Sequence, residues 1–203
     1  MNEILLTEAQ KQACEAHLNL LKKWNQIFNL TAITDWEDMW VKHVLDSLSI
    51  LPYLPKLSGL SWIDVGTGGG FPGVPLAILR PDWSFTLLDS NAKKIRFLNQ
   101  VKIELGLANI FPLHARVEKY VPSKKFDGVL SRAFASLDQM MRDSEHLLAP
   151  GGKFYALKAR ESEPVSSGFQ IESEIPLHIP GLIGSRKLVI AAVKRRKDCE
   201  PSS

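Results

Sequence analysis

The hydrophobic positions of residues 1–60 recur at the three- and four-residue spacing of amphipathic helices. Thr7 and Gln10 have the spacing of a capping box, and a helical pattern follows them. A second helical run starts after Asp35, an N-cap candidate, and continues until Pro52 and Pro55 end it. The pattern therefore predicts a helical cap over residues 1–60. The apolar positions of the first run are Ala13, His17, Leu18, Leu21, Trp24, Ile27 and Phe28.

From Ser61 onward, short β-rich runs alternate with helical ones. Strands and helices that alternate at this spacing predict an α/β fold with a parallel, doubly wound sheet. The strand candidates are SWIDVG, FTLLD, NIFPLHA, FDGVLS, KFYALK, QIESEIPLHI and KLVIAAVK. Helices are predicted after Gly73, from Asn91 to about Leu105, and from Leu137 to Leu148.

The last two strand candidates are joined through Pro180, Gly181 and Gly184, which predicts a hairpin. We assign residues 61–194 to the main domain. The polar, charged segment 195–203 is expected to be a disordered tail.

Composition and charge exclude several classes of protein. The chain has 203 residues, of which 45% are hydrophobic, enough for one core. No run approaches the roughly 18 apolar residues of a membrane span, and the N-terminus lacks a signal-peptide pattern, so we expect no membrane partner and a cytoplasmic location. The net charge of +3, with its basic excess toward the C-terminus, permits a polyanion partner without indicating one.

Cys14 and Cys199 are the cysteines of the chain, and neither has Cys or His companions at ligand spacing. A disulfide framework and a metal site are therefore not expected, and both residues are predicted to be free thiols.

The segment IDVGTGGGFPG, residues 63–73, is the most informative motif. It leaves a buried strand, passes through four glycines including Gly66 and Gly68, and enters a helix, so that a ligand can approach the backbone. Asp89 follows 23 residues after Gly66, at the end of the next strand, where a carboxylate can accept both hydroxyls of a ribose. The motif predicts a cofactor site, and the alternative is a tight turn in a fold without a ligand.

The motif does not fit a nicotinamide enzyme, because the third glycine of G-x-G-x-x-G falls on Phe71. The pattern D-x-G-x-G instead resembles motif I of the class I S-adenosylmethionine-dependent methyltransferases. That resemblance implies a Rossmann-like, seven-stranded sheet with an antiparallel last strand. It also places Asp64 where it meets the ammonium group of the cofactor, directly or through water.

A closer resemblance covers the chain from about Leu5 to Lys194. The sequence resembles the RsmG family, also called GidB, in Trp24-Asn25, Asn29-Leu30-Thr31, His43 with Asp46-Ser47-Leu48, DVGTGGGFPG, LLDS, ARVE, SRAFAS and YALK. The resemblance implies S-adenosylmethionine-dependent methylation of guanine N7 in the 530 loop of bacterial 16S rRNA. It places cofactor contacts at Gly66, Phe71, Val117, Glu118 and Arg132.

These positions also have chemical reasons of their own. Val117 and Glu118 follow the third strand, at the edge where ligands of open α/β sheets bind, so that the backbone can meet an adenine. A guanidinium at Arg132, after the fourth strand, can hold the methionine carboxylate or a substrate phosphate. The alternatives are a place on a helix surface for Glu118 and a structural ion pair for Arg132.

No residue is assigned as a catalytic acid or base, and the positioning candidates are Arg132, Asn29 and Ser131. Asn29 either lines the mouth of the pocket or caps a helix. His43 and Asp46 lie three apart on one predicted helix face, as a hydrogen-bonded pair does, and such a pair is more often structural than catalytic.

Basic residues near the ligand edge and in the final hairpin are candidates for phosphate contacts, with ordinary solvated charge as the alternative. They are Lys93, Lys94, Arg96, Arg186 and Lys187.

Features of the sequence narrow the choice of the atom that is methylated. Carbon methylation of cytosine uses a Cys nucleophile, and both cysteines lie outside the predicted strands. The Asn/Asp-Pro-Pro-aromatic motif of exocyclic-amine methyltransferases is absent where Ser131 and Arg132 stand. Guanine N7 carries a lone pair and no proton, so its attack needs no general base.

The expected partner is 16S rRNA or a small ribosomal subunit particle, and the protein is expected to be a monomer. One alternative is a methyltransferase for a small molecule or a protein. Another is a non-catalytic RNA-binding assembly factor.

Overall fold

The structure, a computed structural model, describes residues 5–132, 136–159 and 164–194. The predicted tail, residues 195–203, lies outside the described residues.

Helical segments form the N-terminal region, as predicted. The capping box is confirmed, because Thr7 Oγ1 accepts from Gln10 N at 3.2 Å while Gln10 Oε1 accepts from Thr7 N at 3.0 Å. Asp35 is an N-cap and accepts from Asp38 N at 3.0 Å. The segments are α1 (Glu8–Phe28), α2 (Trp36–Met39), a π-helical turn (Trp40–Leu45), α3 (Asp46–Leu48) and a 3₁₀ turn (Leu51–Tyr53).

The π-helical turn interrupts the second predicted helix. The α-helical pattern of hydrophobic positions does not predict such a turn. A π turn inserts one residue into a helix and requires no characteristic residue types. The turn contains Lys42 and His43 and directly precedes Asp46.

The strands form a seven-stranded sheet in the order β3-β2-β1-β4-β5-β7-β6. β7 is antiparallel to both β5 and β6, which confirms the expected antiparallel last strand and the final hairpin. The strands are β1 (Ser61–Val65), β2 (Ser84–Asp89), β3 (Ile110–His114), β4 (Phe126–Arg132), β5 (Leu148–Lys158), β6 (Phe169–Leu177) and β7 (Arg186–Val193).

Helices and 3₁₀ turns connect these strands. They are α4 (Gly73–Leu79), the long helix α5 (Ala92–Glu104), a 3₁₀ turn (Val117–Lys119), α6 (Leu137–Ser144) and a 3₁₀ turn (Glu145–Leu147). The predicted end of the third helix at Leu148 is wrong. The α-helix ends at Ser144, and Leu148 belongs to β5, where it pairs with Phe126 of β4.

Hydrophobic cores lie on both faces of the sheet, because successive strand residues point to opposite sides. On β5, Tyr155 packs in the core that contains α1, α4 and α5, while Phe154 packs in the core that contains α6. Cys14, Leu18 and Leu21 of α1 belong to the first of these cores. The helix α1 therefore packs directly on the sheet and on the helices α4 and α5.

The strand order reverses at β1, which lies between β2 and β4. At its carboxyl end, Val65 pairs with Leu88 of β2 and with Ser131 of β4. In open α/β sheets, ligands bind in the crevice at this switch point. None of the helices in the described part of the chain is long and apolar enough to cross a membrane.

Candidate active site

The glycine-rich loop lies over the carboxyl ends of β1 and β2. The N–H groups of Gly66 and Thr67 both donate to the Leu88 carbonyl, at 2.9 and 3.1 Å. Gly68 has a φ of +60°, which favours glycine, and its N–H donates to Asp89 Oδ2 at 3.0 Å. The loop therefore holds the Asp89 carboxylate against its own backbone.

Asp64, at the end of β1, is fully buried beneath this loop. Its Oδ2 accepts from Thr67 Oγ1 at 2.7 Å and from Gly73 N at 2.9 Å. Its Oδ1 has no hydrogen-bond partner within the described part of the chain. Burial raises the pKa of Asp64 to about 6, although the two hydrogen bonds favour the charged form.

Asp89 ends β2 and is nearly buried. Its Oδ1 accepts from Asn91 N at 2.9 Å, and its Oδ2 receives both Gly68 N–H and the Lys94 ammonium, the latter at 3.3 Å. Protein donors therefore already occupy both oxygens of the Asp89 carboxylate.

A cavity of about 290 Å³ opens beside the loop. This is close to the roughly 300 Å³ at which ligand clefts begin. It is lined by Leu21, Leu30, Thr31, His43, Gly66, Thr67, Gly68, Gly69, Phe71, Lys94 and Arg132. The wall thus combines backbone from the glycine loop with residues of the helical cap.

Phe71 carries an aromatic cluster at the wall of this cavity. Its ring stacks on His17, with centroids 4.7 Å apart, and on His43, with centroids 4.5 Å apart. The Arg132 guanidinium carbon lies 5.2 Å from the centroid of Phe71. His17 also hydrogen-bonds through Nε2 to the Gly69 carbonyl at 2.8 Å, which ties α1 to the loop.

Arg132 joins the end of β4 to the helical cap. Its Nη1 donates to the Lys42 carbonyl at 2.7 Å and to Asp46 Oδ2 at 3.3 Å, and its Nη2 donates to His43 Nδ1 at 3.2 Å. The pair predicted between His43 and Asp46 is thus bridged by Arg132. Arg132 both makes an ion pair and lines the cavity. The two alternatives left by the sequence, a structural ion pair and a place at a ligand site, are therefore compatible.

Asp46 is a fully buried carboxylate that binds two arginines. While Oδ2 faces Arg132, Oδ1 accepts from Arg186 Nε at 2.7 Å. Arg186 is the first residue of β7. The C-terminal hairpin is therefore linked to the wall of the cavity through one carboxylate.

His43 is neutral, and its tautomer follows from its partners. An arginine can only donate, so Nδ1 accepts from Arg132, and Nε2–H donates to Thr31 Oγ1 at 3.0 Å. Burial, then the positive charge of Arg132, lowers the pKa of His43 to about 3. Burial also lowers the pKa of His17 to about 4.

Val117 and Glu118 lie in the 3₁₀ turn after β3. The N–H of Ala115 donates to the Asp89 carbonyl at 3.2 Å, which brings this stretch beside β2. Val117 is buried in the core, while Glu118 is exposed near Arg116. Neither belongs to the cavity wall given above.

Two positioning candidates also lie outside that wall. Asn29 is the C-cap of α1, with a φ of 49°, and its neighbours Leu30 and Thr31 are the ones that line the cavity. Ser131 is buried in β4, next to Arg132.

The candidate phosphate contacts lie in different surroundings. Lys93 and Arg96 are exposed on α5, whereas Lys94 faces Asp89. Arg186 and Lys187 are ion-paired, Lys187 with Glu174 at 3.1 Å. Within the described part of the chain, Lys93 and Arg96 are therefore the members of this set without an ion-pair partner.

Sequence reasoning did not find His17 and Thr67 as site residues, nor Asp46 as the carboxylate that joins two arginines. Thr67 carried a signal, since a hydroxyl three residues after Asp64 can bond back to it. His17 and Asp46 carried none, because their partners are more than 50 residues away in sequence.

The strand order, the glycine loop at the switch point and the carboxylate at the end of β2 define a class I methyltransferase fold. Solved structures share it: a SAM dependent methyltransferase from Aquifex aeolicus has a TM-score of 0.59, at 15% identity over 79% of this chain and 94% of its own. The glycopeptide N-methyltransferase MtfA, solved with S-adenosylmethionine, has a TM-score of 0.62, at 15% identity over 75% of this chain and 95% of its own.

The family is more specific than the fold. The family model GidB, described as rRNA small subunit methyltransferase G, matches residues 10–189, and the chain belongs to this family. Ribosomal RNA small subunit methyltransferase G of Escherichia fergusonii is 49% identical over 196 residues, which cover 95% of this chain and 93% of the relative. The protein of that name in Klebsiella pneumoniae strain 342 is 49% identical over 197 residues, which cover 95% and 94%.

Proposed function

We propose that this protein transfers a methyl group from S-adenosylmethionine to N7 of a guanosine in the 530 loop of 16S rRNA. Membership of the rRNA small subunit methyltransferase G family supports the rRNA substrate. The observation that carries the proposal is the cavity enclosed by the glycine loop, Lys94 beside Asp89, and Arg132.

The described residues fit the cofactor. The buried, unpartnered Oδ1 of Asp64 is an acceptor for an ammonium group. A Cβ at Gly68 would meet only the Gly66 carbonyl oxygen, at 4.0 Å, among the described residues, so the bare backbone there leaves room for a ligand beside Asp89. Gly66 and Phe71 also belong to the loop wall, and Val117 and Glu118 follow the strand where an adenine edge would lie.

S-adenosylmethionine supplies an activated methyl group when it is bound. The protein then has to align the acceptor nitrogen with that methyl group and to exclude water. Arg132 is suited to hold an anionic group, because its guanidinium is fixed by His43, Asp46 and the Lys42 carbonyl. Asn29 and Ser131 remain positioning candidates near this wall.

The state of His43 supports N7 as the acceptor. Both ring nitrogens of His43 are hydrogen-bonded, and its pKa is lowered to about 3, so the ring is a poor general base near pH 7. Guanine N7 carries no proton in the attacking form. A site in which His43 does not act as a general base therefore suits this atom.

Phosphate contacts are proposed for the exposed start of α5, at Lys93 and Arg96, with Lys94, Arg186 and Lys187 as further candidates. RNA affinity should fall as salt rises, because each phosphate contact releases counterions. The double variant Lys93→Gln and Lys94→Gln should reduce the slope of log K against log salt by roughly 0.7 to 0.9 for each lost contact.

Mapping of 7-methylguanosine in 16S rRNA tests the function directly. A strain that lacks the gene should lose the modification in the 530 loop, and this chain should restore it. If the chain instead restores methylation at another atom or in another RNA, the N7 assignment is contradicted. An intact modification in the deletion strain would contradict the proposed function.

Calorimetry with S-adenosylmethionine and with NAD tests the cofactor separately, and we expect binding of the first alone. Binding without methylation of any RNA would favour a methyltransferase for a small molecule or a protein. RNA binding without cofactor binding would favour a non-catalytic assembly factor. That the protein works as a monomer stays a prediction, which light scattering tests.

A further inference from the structure

Lys94 lies between the two ligands that the proposed function requires. It is in the first turn of α5, its side chain lines the cavity, and its Nζ is 3.3 Å from Asp89 Oδ2. The Lys94 side chain is 30% exposed, whereas that of Asp89 is 7% exposed. Lys94 therefore reaches from the mouth of the cavity to a nearly buried carboxylate.

The acceptor sites of Asp89 are almost filled. A carboxylate has about four lone-pair sites, two on each oxygen. Oδ1 accepts from Asn91 N, and Oδ2 accepts from Gly68 N and from Lys94 Nζ. The contacts of the described residues therefore leave one site open, on Oδ1.

A ribose that binds through both hydroxyls needs two acceptor sites. The donors on Gly68 and Asn91 are backbone N–H groups and are held by the loop and by the start of the helix. Lys94 is the movable donor of the three, because an ammonium on a four-carbon stem can turn away. A second ribose hydroxyl can be accommodated on Oδ2 only if Lys94 leaves.

We propose that cofactor binding displaces Lys94 from Asp89 and that the freed ammonium then binds a phosphate of the RNA. The inference rests on the proposed function, because it needs both a ribose-containing cofactor and an RNA substrate. Lys94 is thus a positioning residue for the RNA that becomes available once the cofactor is in place.

The surroundings of Lys94 favour an anion as its next partner. Lys93 precedes it on the exposed side of α5, with its ammonium 5.9 Å from the ring centroid of Phe28, and the exposed Arg96 follows two positions later. A third unpaired cation beside these two raises the local positive potential. A phosphate is the group in an RNA that this potential attracts.

The displacement couples the two ligands in both directions. Cofactor that frees Lys94 strengthens RNA binding, and by thermodynamic linkage RNA that holds Lys94 strengthens cofactor binding by the same factor. We expect the coupling to be about fivefold, at the lower end of usual values.

RNA binding with and without S-adenosylhomocysteine tests the proposal, since this product has the same ribose and cannot react. The probes are unmethylated small ribosomal subunits and naked 16S rRNA extracted from them. For the wild-type protein, the ligand should tighten binding of at least one probe about fivefold. It should also steepen the salt slope by roughly 0.7 to 0.9, the value for one more phosphate contact.

Lys94→Met keeps the stem and removes the ammonium, so this variant should show neither the tightening nor the steeper slope. Lys102→Met is the matched control. Lys102 lies in the last turn of the same helix, and its ammonium stands over Phe111, away from the cavity wall. The control should behave as the wild-type protein does.

Cofactor affinity measured without RNA is a second, independent readout. Lys94→Met should bind S-adenosylmethionine as well as the wild-type protein does, or up to about threefold more tightly, because a competing donor is gone. Clearly weaker binding would overturn the proposal, since Lys94 would then be a cofactor ligand.

The outcomes separate this inference from the proposed function. RNA affinity that is equal with and without S-adenosylhomocysteine overturns the inference alone, and so does a coupling that Lys94→Met retains. Failure of the wild-type protein to bind either RNA probe, with cofactor binding intact, overturns both.

Discussion

The Arg132 guanidinium donates from Nη2 to Nδ1 of His43 at 3.2 Å, and this contact fixes the protonation state of the histidine. A second proton on the ring would have to sit on Nδ1, facing a cation. We therefore expect the ring nitrogens of His43 to keep the shifts of a neutral, Nε2-protonated imidazole in ¹⁵N NMR between pH 5 and 8. A titration with a midpoint near the ordinary 6.5 contradicts the contact.

Buried histidines should make the stability fall as the pH is lowered. His17 and His43 have folded-state pKa values of about 4 and about 3, lowered mainly by burial, so the unfolded chain binds their protons first. The stabilisation is complete above pH 6.5 and is lost toward pH 4. By pH 5, each histidine should cost about 2 kcal/mol of unfolding free energy.

His17→Asn isolates one of the two contributions. The raised pKa of Asp64 opposes this loss of stability at low pH by about 1 kcal/mol. It does so equally in the wild-type protein and in His17→Asn. Urea unfolding at pH 7.5 and pH 5 should show a pH-dependent loss that is smaller by about 2 kcal/mol in His17→Asn. Equal losses in the two proteins would mean that His17 is not held neutral.

Asp89→Ala should weaken cofactor binding by about 1 to 3 kcal/mol, the range for a lost charge-assisted hydrogen bond or an unpaired buried partner. Calorimetry with S-adenosylmethionine measures this. Asp127→Ala is the matched control, because Asp127 also accepts a backbone N–H, from Ser61 at 2.8 Å, but at the opposite end of β1. Unchanged affinity in a folded Asp89→Ala protein would remove Asp89 from the ribose site.

Removal of the Asp46 charge should destabilise the protein more than removal of the charge of either arginine that is paired with it. Asp46→Asn leaves Arg132 and Arg186 partly buried without their carboxylate and should cost about 3 kcal/mol of unfolding free energy. Arg186→Met leaves Asp46 paired with Arg132 and should cost about 1 kcal/mol. Urea unfolding measures both, and the reverse order would refute the shared role of Asp46.

An exposed ion pair provides the control for these two variants. Lys153 and Glu172 lie 2.6 Å apart on β5 and β6, with side chains 41% and 34% exposed. Glu172→Gln should cost less than about 1 kcal/mol.

Both cysteines should be dispensable for methyl transfer. Cys14 is buried in α1 among the core residues, and burial raises the pKa of its thiol to about 12, so it is not a nucleophile near neutral pH. The variant Cys14→Ala with Cys199→Ala should methylate RNA at the wild-type rate. If the wild-type protein forms a covalent adduct with RNA and this variant does not, carbon methylation is favoured over methylation of N7.

The sequence alone determined the features that depend on neighbours along the chain. The capping box of α1 is made by Thr7 and Gln10, three residues apart, and the spacing alone predicts it. The glycine loop opens at Gly66 because positive φ and close approach demand glycine there. The alternation of strands and helices also predicted the sheet, since a crossover between parallel strands has one usual hand and needs a helix's length of chain.

The tertiary structure decided which distant charges meet. Arg132 and Asp46 are 86 residues apart, and Arg186 is 140 residues from Asp46, so no periodicity relates them. The π-helical turn before Asp46 was likewise decided by the tertiary structure, because the hydrophobic pattern does not predict it. The contact of Lys94 with Asp89 likewise depends on how α5 packs against the end of β2. Spacing fixes the face of an element on which a side chain lies, whereas the partner of a charge depends on which elements pack together in three dimensions.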